Sequence, residues 1–462
     1  MYGPFRHISA LALLATVLVT AASGCEKKDP ETRPSADFSS QPVVIGVSAA
    51  LDGSLADFGK GIRKGALVAE SLINSNGGVR GRRVEVRIGN DMTANDQAQS
   101  VADSFIKAYG SEYVVGVVGP TGSPQAEFIH RAYAEAGIIL ISSSAATPTL
   151  TTAQDARQRF FFRTTPSHAL QARALSLLAL GPPKGTGAVC KKAAVVFADD
   201  AFGRPIAERF QEEFKKRGGS IIGTPQGVPT DEKQDYKPQA EASLAAIKVA
   251  GAGTDVCQLL VAFPPAGAAY MRKFRDLTKA DSSRDWTKFV TVGANGLAQA
   301  SFISKAKNDP NNQAELSAAE GMYGVQPESN PNTPEFAYFK KLYQLSFPGE
   351  TPPIYASNTF DAVLLLALAV QKAGLDDNTN SFVRDALFDV SASGRAYGPS
   401  EFASALGALR RGEDIDYNGA SGKVDFDDRG DVIADYTIWK VVQGALVSSY
   451  EERISAEALQ DP

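Results

Sequence analysis

Histidine is almost missing from this chain. Only His7, His130 and His168 occur, too scattered for an imidazole-based metal centre. Cysteine is as scarce: Cys25, Cys190 and Cys257 include no C-x-x-C pair and are too few for a thiolate cluster. A basic excess is lacking as well, since the formal net charge is −5 and no lysine- or arginine-rich cluster offers a footprint for nucleic acid. The glycine-rich stretch GKGIRKG has neither phosphate-loop spacing, and no G-x-S-x-G elbow or metal motif accompanies it. These gaps argue against an enzyme and imply no cofactor and no metal. What is present is 462 residues, 44% of them hydrophobic, suited to two or three globular domains.

The stretch from Tyr113 to Thr152 organises the rest. YVVGVV is a short uncharged β-branched run, the pattern of a strand buried on both faces. Gly119, Pro120 and Gly122 break it. SPQAEFIHRAYAEAG then predicts a helix, with Ser123 as N-cap and Pro124 at the first helical position. IILIS predicts a second buried strand, ending in SSSAAT. Both strand ends thus open into small hydroxyl-rich turns at the carboxyl edge of a parallel sheet, where ligands bind. Hydroxyls, backbone N–H groups and a helix N-terminus suit a carboxylate or another small anion. The competing reading is that Ser123 and Ser144 only cap and close turns.

Residues 1–24 carry Arg6 and then ISALALLATVLVTAA, shorter than the ~20 apolar residues of a membrane span and suited to a secretory signal core. The polar, proline-containing stretch EKKDPETRPSADFSSQP predicts a disordered tether. From VVIGVSAAL onward strands and helices alternate. FFFRTTP reads as a crossing segment, because the β/α series restarts beyond it. Two such series imply two lobes with a cleft between them. The pattern loosens over 297–353, where polar loops are expected. ASNTFDAVLLLALAVQKAG is apolar nearly all round and predicts a buried helix. Asp425, Asp427, Asp428 and Asp431 lack calcium-loop spacing and read as solvated turn residues. Cys190 and Cys257 both fall near the amino ends of strands in the second series, so an exported chain would pair them in a disulfide.

Eight stretches in order resemble the branched-chain amino-acid (Leu/Ile/Val-binding) type of ABC transporter substrate-binding protein. They are GSLADFGKGIRKGALVAESLINSNGGVRGRRV, VVGVVGPTGSPQ, ILISSSAATPTLT, VVFADDAFGRPIAERF, VGANGL, AAEGMYG, YASNTFDAV and GKVDFDDRGD. ASGC before position 26 also resembles a bacterial lipobox, which implies cleavage before Cys25 and its acylation. The resemblance implies an α/β, two-lobed type I periplasmic binding protein fold. Each lobe would be a parallel sheet flanked by helices, with a three-segment hinge. It implies a signal peptide at 1–24 and a tether at 25–42, then lobe 1 from 43–167 plus 295–428 and lobe 2 from 168–294 plus 429–452. It also implies an exported, membrane-anchored lipoprotein that delivers a small solute to an ABC permease by hinge closure. The alternative is a lipoprotein that uses the same fold to sense or to regulate cell-wall enzymes.

Carried over position by position, the resemblance makes Phe58 an aromatic lid and Thr121, Gly122 and Ser123 the carboxylate seat. Ser144, Ala145, Ala146 and Thr147 become the second polar loop, and Phe202, Tyr236 and Asn295 contribute from lobe 2 and the hinge. Ala146 and Ala266 stand where amino-acid binders place a threonine and an acid on the ligand ammonium. A buried ammonium without a counter-charge is costly. The expectation is therefore a carboxylate-bearing or neutral polar solute with an apolar portion, and weak binding of leucine, isoleucine or valine.

Overall fold

The computed structural model describes residues 41–109, 113–152, 159–181, 190–231, 233–251, 253, 255–312, 314–327, 329–374 and 379–460. The expected signal peptide, Cys25 and all but the last two residues of the expected tether lie outside the described residues.

Five strands make the first sheet: β1 (Val43–Ala49), β2 (Val84–Asn90), β3 (Tyr113–Val118), β4 (Ile139–Ser142) and β5 (Phe161–Arg163). Their order is β2-β1-β3-β4-β5 and every pairing is parallel. Uncharged β-branched runs such as VVIGVSA are buried at every position, because helices cover both faces. The helix Ala56–Ser75 lies on one face together with Ala356–Ala373, and the helices Asn95–Tyr109 and Ser123–Glu135 lie on the other. Ala356–Ala373 is buried around its whole girth, as its apolar pattern requires.

The second sheet contains β6 (Lys192–Ala198), β7 (Ser220–Ile221), β8 (Gln226–Val228), β9 (Val256–Val261), β10 (Val290–Gly293) and β11 (Tyr323–Pro327). A small sheet of β12 (Arg395–Tyr397), β13 (Ile415–Gly419) and β14 (Gly422–Lys423) sits with the first lobe, its Tyr397, Ile415 and Tyr417 in that core. The chain then returns to the second sheet as β15 (Tyr436–Val442) and β16 (Ala445–Ile454). Those last two strands are antiparallel to their neighbours, so the second sheet is parallel only up to β11.

Two boundaries differ from the sequence expectation. Phe161–Arg163, read as a crossing, is a strand of the first sheet, and the crossing follows it. Tyr323–Pro327, placed by sequence in lobe 1, pairs with β10 and β15 in the second sheet. Gly324 has no side chain because the Trp439 ring fills that space; a Cβ there would stand 2.1 Å from Trp439 Cζ2. The chain therefore passes between the sheets near 164–167, 329–333 and 429–435, and the described residues of 295–327 stay with lobe 2.

Cys190 is bonded to Cys257, with Cα atoms 5.7 Å apart. β6 and β9 are neighbours in register, which brings both residues to the amino end of the sheet. Joining positions 67 residues apart stabilises by about 4 kcal/mol in the loop-entropy account.

Candidate functional site

The carboxyl ends of β1, β3 and β4 are knitted together by their own turn hydroxyls. Thr121 Oγ1 accepts the Ala50 N–H at 2.9 Å, and Ser144 Oγ donates to the Thr121 carbonyl at 2.8 Å. Ser123 Oγ accepts the Ala146 N–H at 3.2 Å. A hydroxyl carries one proton, so Thr121 and Ser123, acting here as acceptors, keep theirs to donate. Gly122, not Ser123, is the N-cap of the helix Ser123–Glu135, because the Ser123 hydroxyl is turned to the neighbouring loop. Gly119 has a φ of +119°, and a Cβ there would stand 2.1 Å from the Ser48 carbonyl oxygen, so only glycine fits this approach. Ala145 and Ala146 are buried, and the Ala146 carbonyl accepts from His168 N at 2.8 Å. Thr147 donates to Glu127 Oε1 at 3.2 Å, and its own carbonyl accepts from Arg163 Nη1 at 3.1 Å.

Aromatic side chains pack around these loops. Phe58 meets Tyr355 edge-on at 5.3 Å, and Tyr355 OH accepts from Asn295 Nδ2 at 2.5 Å. That bond joins the loop after β10 to the helix Ala356–Ala373, and so one lobe to the other. Tyr355 has a φ of 69°, rare for a bulky residue and a cost sustained only where the surroundings hold it. Sequence reasoning missed Tyr355, although it opens YASNTFDAV. Phe202 stacks on Phe263 at 4.2 Å and meets His168 edge-on at 5.2 Å. Burial drives the His168 imidazole down to about 3, so it stays neutral. Tyr236 points into its own lobe, donating from its hydroxyl toward the Pro229 and Asp231 carbonyls at 3.0 and 2.8 Å, and so fixes the loop that carries Thr230.

Between the lobes a cavity of ≈ 380 Å³ remains. Its first-lobe wall includes Leu55, Thr93, Asn95 and Gln125; its second-lobe wall includes Asp200, Thr230, Phe263 and Ala266. Every one of these follows the carboxyl end of a strand, the edge where parallel sheets hold ligands. Thr93 has a φ of 58° and is held there by buried Asp91, whose Oδ1 accepts the Thr93 N–H at 3.0 Å. Burial pushes the Asp91 carboxyl up, against the pull of its Thr93 and Ser48 hydrogen bonds. Gln125 Nε2 donates to the Thr93 carbonyl and to Asn95 Oδ1 at 3.1 and 3.2 Å, while its Oε1 is buried without a hydrogen-bond partner.

Asp200 changes the chemistry expected of the cleft. Its Oδ1 accepts the N–H groups of Phe202 and Gly203 at 2.9 and 2.8 Å, which leaves Oδ2 for the cavity. Burial pushes its carboxyl up, opposed by those two N–H groups. Across the cleft Glu127 is pushed up too, mainly by burial and further by the charge of Asp200. Ala266 does line the cavity, yet the acid that AFPPAG lacks is supplied from the end of β6. An acid thus stands in the same cavity as Ala266, and the sequence expectation did not count it. Sequence reasoning missed Asp200, because nothing local separates a cleft acid from an ordinary turn residue ahead of a helix.

Residues 62–444, most of the chain, match the family described as the receptor family ligand binding region. The chain belongs to that family. Among curated relatives, Leu/Ile/Val-binding protein homolog 3 of Brucella melitensis is 25% identical over 352 residues, covering 75% of this chain and 83% of the relative. Among solved structures, a branched-chain amino-acid transporter substrate-binding protein of Streptococcus pneumoniae, in complex with isoleucine, superposes with a TM-score of 0.67. It is 20% identical and covers 90% of this chain and 100% of that one. A solute-binding protein of an ABC transporter from Rhodopseudomonas palustris, in complex with 3,4-dihydroxybenzoic acid, gives a TM-score of 0.63 at 18% identity, covering 90% and 98%. The fold is thus the two-lobed type I periplasmic binding protein fold. No helix among the described residues is long and apolar enough to cross a membrane.

Proposed function

We propose that this protein is an extracytoplasmic solute-binding lipoprotein, a binder and not a catalyst, that closes on a small carboxylate-bearing ligand and presents it to an ABC importer. The observation that carries the reading is the cavity of ≈ 380 Å³ walled by the strand-end loops of both lobes. Its size lies within the ~300–1,000 Å³ of small-ligand sites. Leu55, Phe263, Pro265 and Ala266 provide an apolar wall for a side chain or ring. The Thr121 and Ser123 protons, beside the N-terminus of the helix Ser123–Glu135, are the donors assigned to the carboxylate. Asp200 Oδ2 and the unpartnered Gln125 Oε1 are acceptors on facing walls, suited to an ammonium. An amino-acid-like zwitterion satisfies both ends, whereas a plain acid would meet Asp200 with nothing to pair it. The Leu/Ile/Val-binding relatives favour the same choice.

Calorimetry on ligand-stripped protein tests this with matched pairs, leucine against 4-methylpentanoate and phenylalanine against 3-phenylpropanoate. The amino acids are expected to bind at least about tenfold more tightly, the ~1.4 kcal/mol of one modest charge pairing. Asp200→Asn, which keeps the oxygen that Phe202 and Gly203 need, is expected to erase that preference. Equal or tighter binding of the plain acids would sink the ammonium seat and leave an organic-acid receptor. No binding of any of the four would favour the sensor or regulator of cell-wall enzymes.

The anchor is a separate expectation. The apolar run ending in ASGC, followed by a polar tether, predicts a mature chain that begins at acylated Cys25. Mass spectrometry of the N-terminal peptide from membrane-extracted protein should show the lipid mass on Cys25. An unmodified Cys25 or cleavage at another site would overturn it.

A further inference from the structure

A pocket larger than the cleft cavity lies outside the cleft. A pocket of ≈ 520 Å³ opens on lobe 2, walled by Met271, Phe274, Trp286, Phe289, Leu316 and Met322. Phe289 and Met322 immediately precede β10 and β11, so the pocket lies at the amino end of the sheet, whereas the cleft loops follow its carboxyl end. Phe274, Trp286 and Phe289 form a continuous aromatic wall, with ring centroids 5.3 to 6.0 Å apart. Leu316, on the rim, is 58% exposed.

Beside the hydroxyls of Thr278, Thr287, Thr291 and Ser317 and the Glu320 carboxylate, this wall carries three donor-only groups, Arg275, Lys279 and Trp286. Trp286 Nε1 is buried without a hydrogen-bond partner, and so is Arg275 Nε. Arg275 is oriented by its Nη1, which donates to the Leu316 carbonyl at 3.1 Å. Lys279 stands on the same wall, and the Arg284 guanidinium lies 5.4 Å above the Trp286 and Phe289 rings. The nearby acids are already engaged. Glu320 accepts the Gln443 and Gly444 N–H groups at 2.7 and 2.9 Å, and Glu315 accepts those of Asn308 and Asp309 at 2.9 and 3.0 Å. Glu315 also stands 3.5 Å from Arg275 Nη2 and within the field of Lys279, so it offsets part of both cations, and Arg284 adds a third. A buried donor left unpaired costs about 1–3 kcal/mol, so two of them over one aromatic wall are sites awaiting an acceptor.

We propose that this pocket is a second ligand site, for a small amphipathic anion. Its flat apolar body lies against Trp286 and Phe289, and its anionic oxygens face Arg275 Nε and Trp286 Nε1 with Lys279 at the rim. The site is independent of the cleft, so its test does not depend on which solute the cleft takes.

Full-length protein titrated with 2-naphthoate, followed by calorimetry and by tryptophan emission in a Trp439→Phe background, is expected to show saturable binding at this pocket. Ala318→Trp, which fills the pocket, should abolish that binding. Lys279→Glu, an exposed change that leaves the wall intact, should weaken it about tenfold, and neutral 2-naphthamide should bind about tenfold more weakly than the acid. The melting temperature of each variant confirms that it is folded. Equal affinity for acid and amide overturns the assignment of an anion. Binding unmoved by both Ala318→Trp and Lys279→Glu places the ligand elsewhere, the cleft included, and overturns the site.

Discussion

Arg163→Met is expected to lower the free energy of unfolding by about 3–5 kcal/mol, the range found when one partner of a buried ion pair is removed. The Arg163 side chain is 0% exposed and ends β5, at the first passage between the lobes. Its Nη2 donates to Asp431 Oδ2 at 2.6 Å, on the third passage, and also contacts the Thr151 hydroxyl; its Nη1 holds the Thr147 carbonyl at 3.1 Å. One guanidinium thus ties two crossing strands of chain to the polar loop at the cleft. Methionine fills much of the volume but leaves the Asp431 carboxylate, 13% exposed, without its ion pair and with the Thr151 hydroxyl, 2.8 Å away, as its remaining side-chain donor among the described residues. Urea unfolding followed by circular dichroism measures the loss. The double variant Arg163→Met with Asp431→Leu should recover most of it, because exchanging a whole buried pair for apolar groups is often neutral. A single variant within about 1 kcal/mol of the parent, on the scale of an exposed pair, would show that the pair does not secure the crossings.

The same pair shows where sequence reading ends. Strands β1, β3, β4, β6 and β9 were legible because burial on both faces demands continuous apolar runs, and those runs stand between clear turn signals. β11 was not, since YGVQP is short and its glycine answers to Trp439, more than a hundred residues later in the chain. Asp431 looked like a solvated member of an acidic turn; only the fold brings Arg163 to it. Asp427 does close that turn, accepting the N–H groups of Arg429 and Asp431, both at 2.9 Å. The hydroxyl loops were readable as small polar turns at strand ends and Phe202 came only from the family resemblance, yet none of Thr121, Ser123, Ser144, Thr147 and Phe202 is among the residues lining the cavity. Asp200, Gln125 and Tyr355 were not readable, because their roles depend on which loops of the two lobes face each other. Local chemistry marks the edge of a sheet where a ligand sits, but the opposing lobe decides which groups meet it.

Asp361→Ala is expected to cost about 3–5 kcal/mol at pH 4–5 and visibly less at pH 8. Asp361 is fully buried in the helix Ala356–Ala373 and is the acceptor on which the small sheet is mounted. It accepts Tyr417 OH at 2.8 Å, Ala420 N at 2.9 Å, Ser421 N at 2.7 Å and Ser421 OH at 2.6 Å. Gly419 leaves room for this, since a Cβ there would stand 2.5 Å from Asp361 Oδ2. Alanine leaves those donors unpaired in a dry core and opens a cavity. The pH dependence follows from burial, which raises the Asp361 carboxyl to about 6 from an ordinary 3.8 despite its four hydrogen bonds. A raised folded value means the native state holds the proton more tightly than the unfolded chain. The stabilisation is therefore complete below pH ~4 and is lost as pH rises through about 6, a total of about 3 kcal/mol for a shift of roughly two units. Tyr417, facing Asp361, is pushed far up by burial and by that carboxylate, and stays neutral throughout. Alanine has no proton to hold, so this part of the pH dependence disappears from the variant. Denaturant unfolding of parent and variant at pH 4.5 and pH 8 gives the comparison directly. A difference that is constant between the two pH values would show that Asp361 is ionised in the folded protein across the range, held so by its four donors.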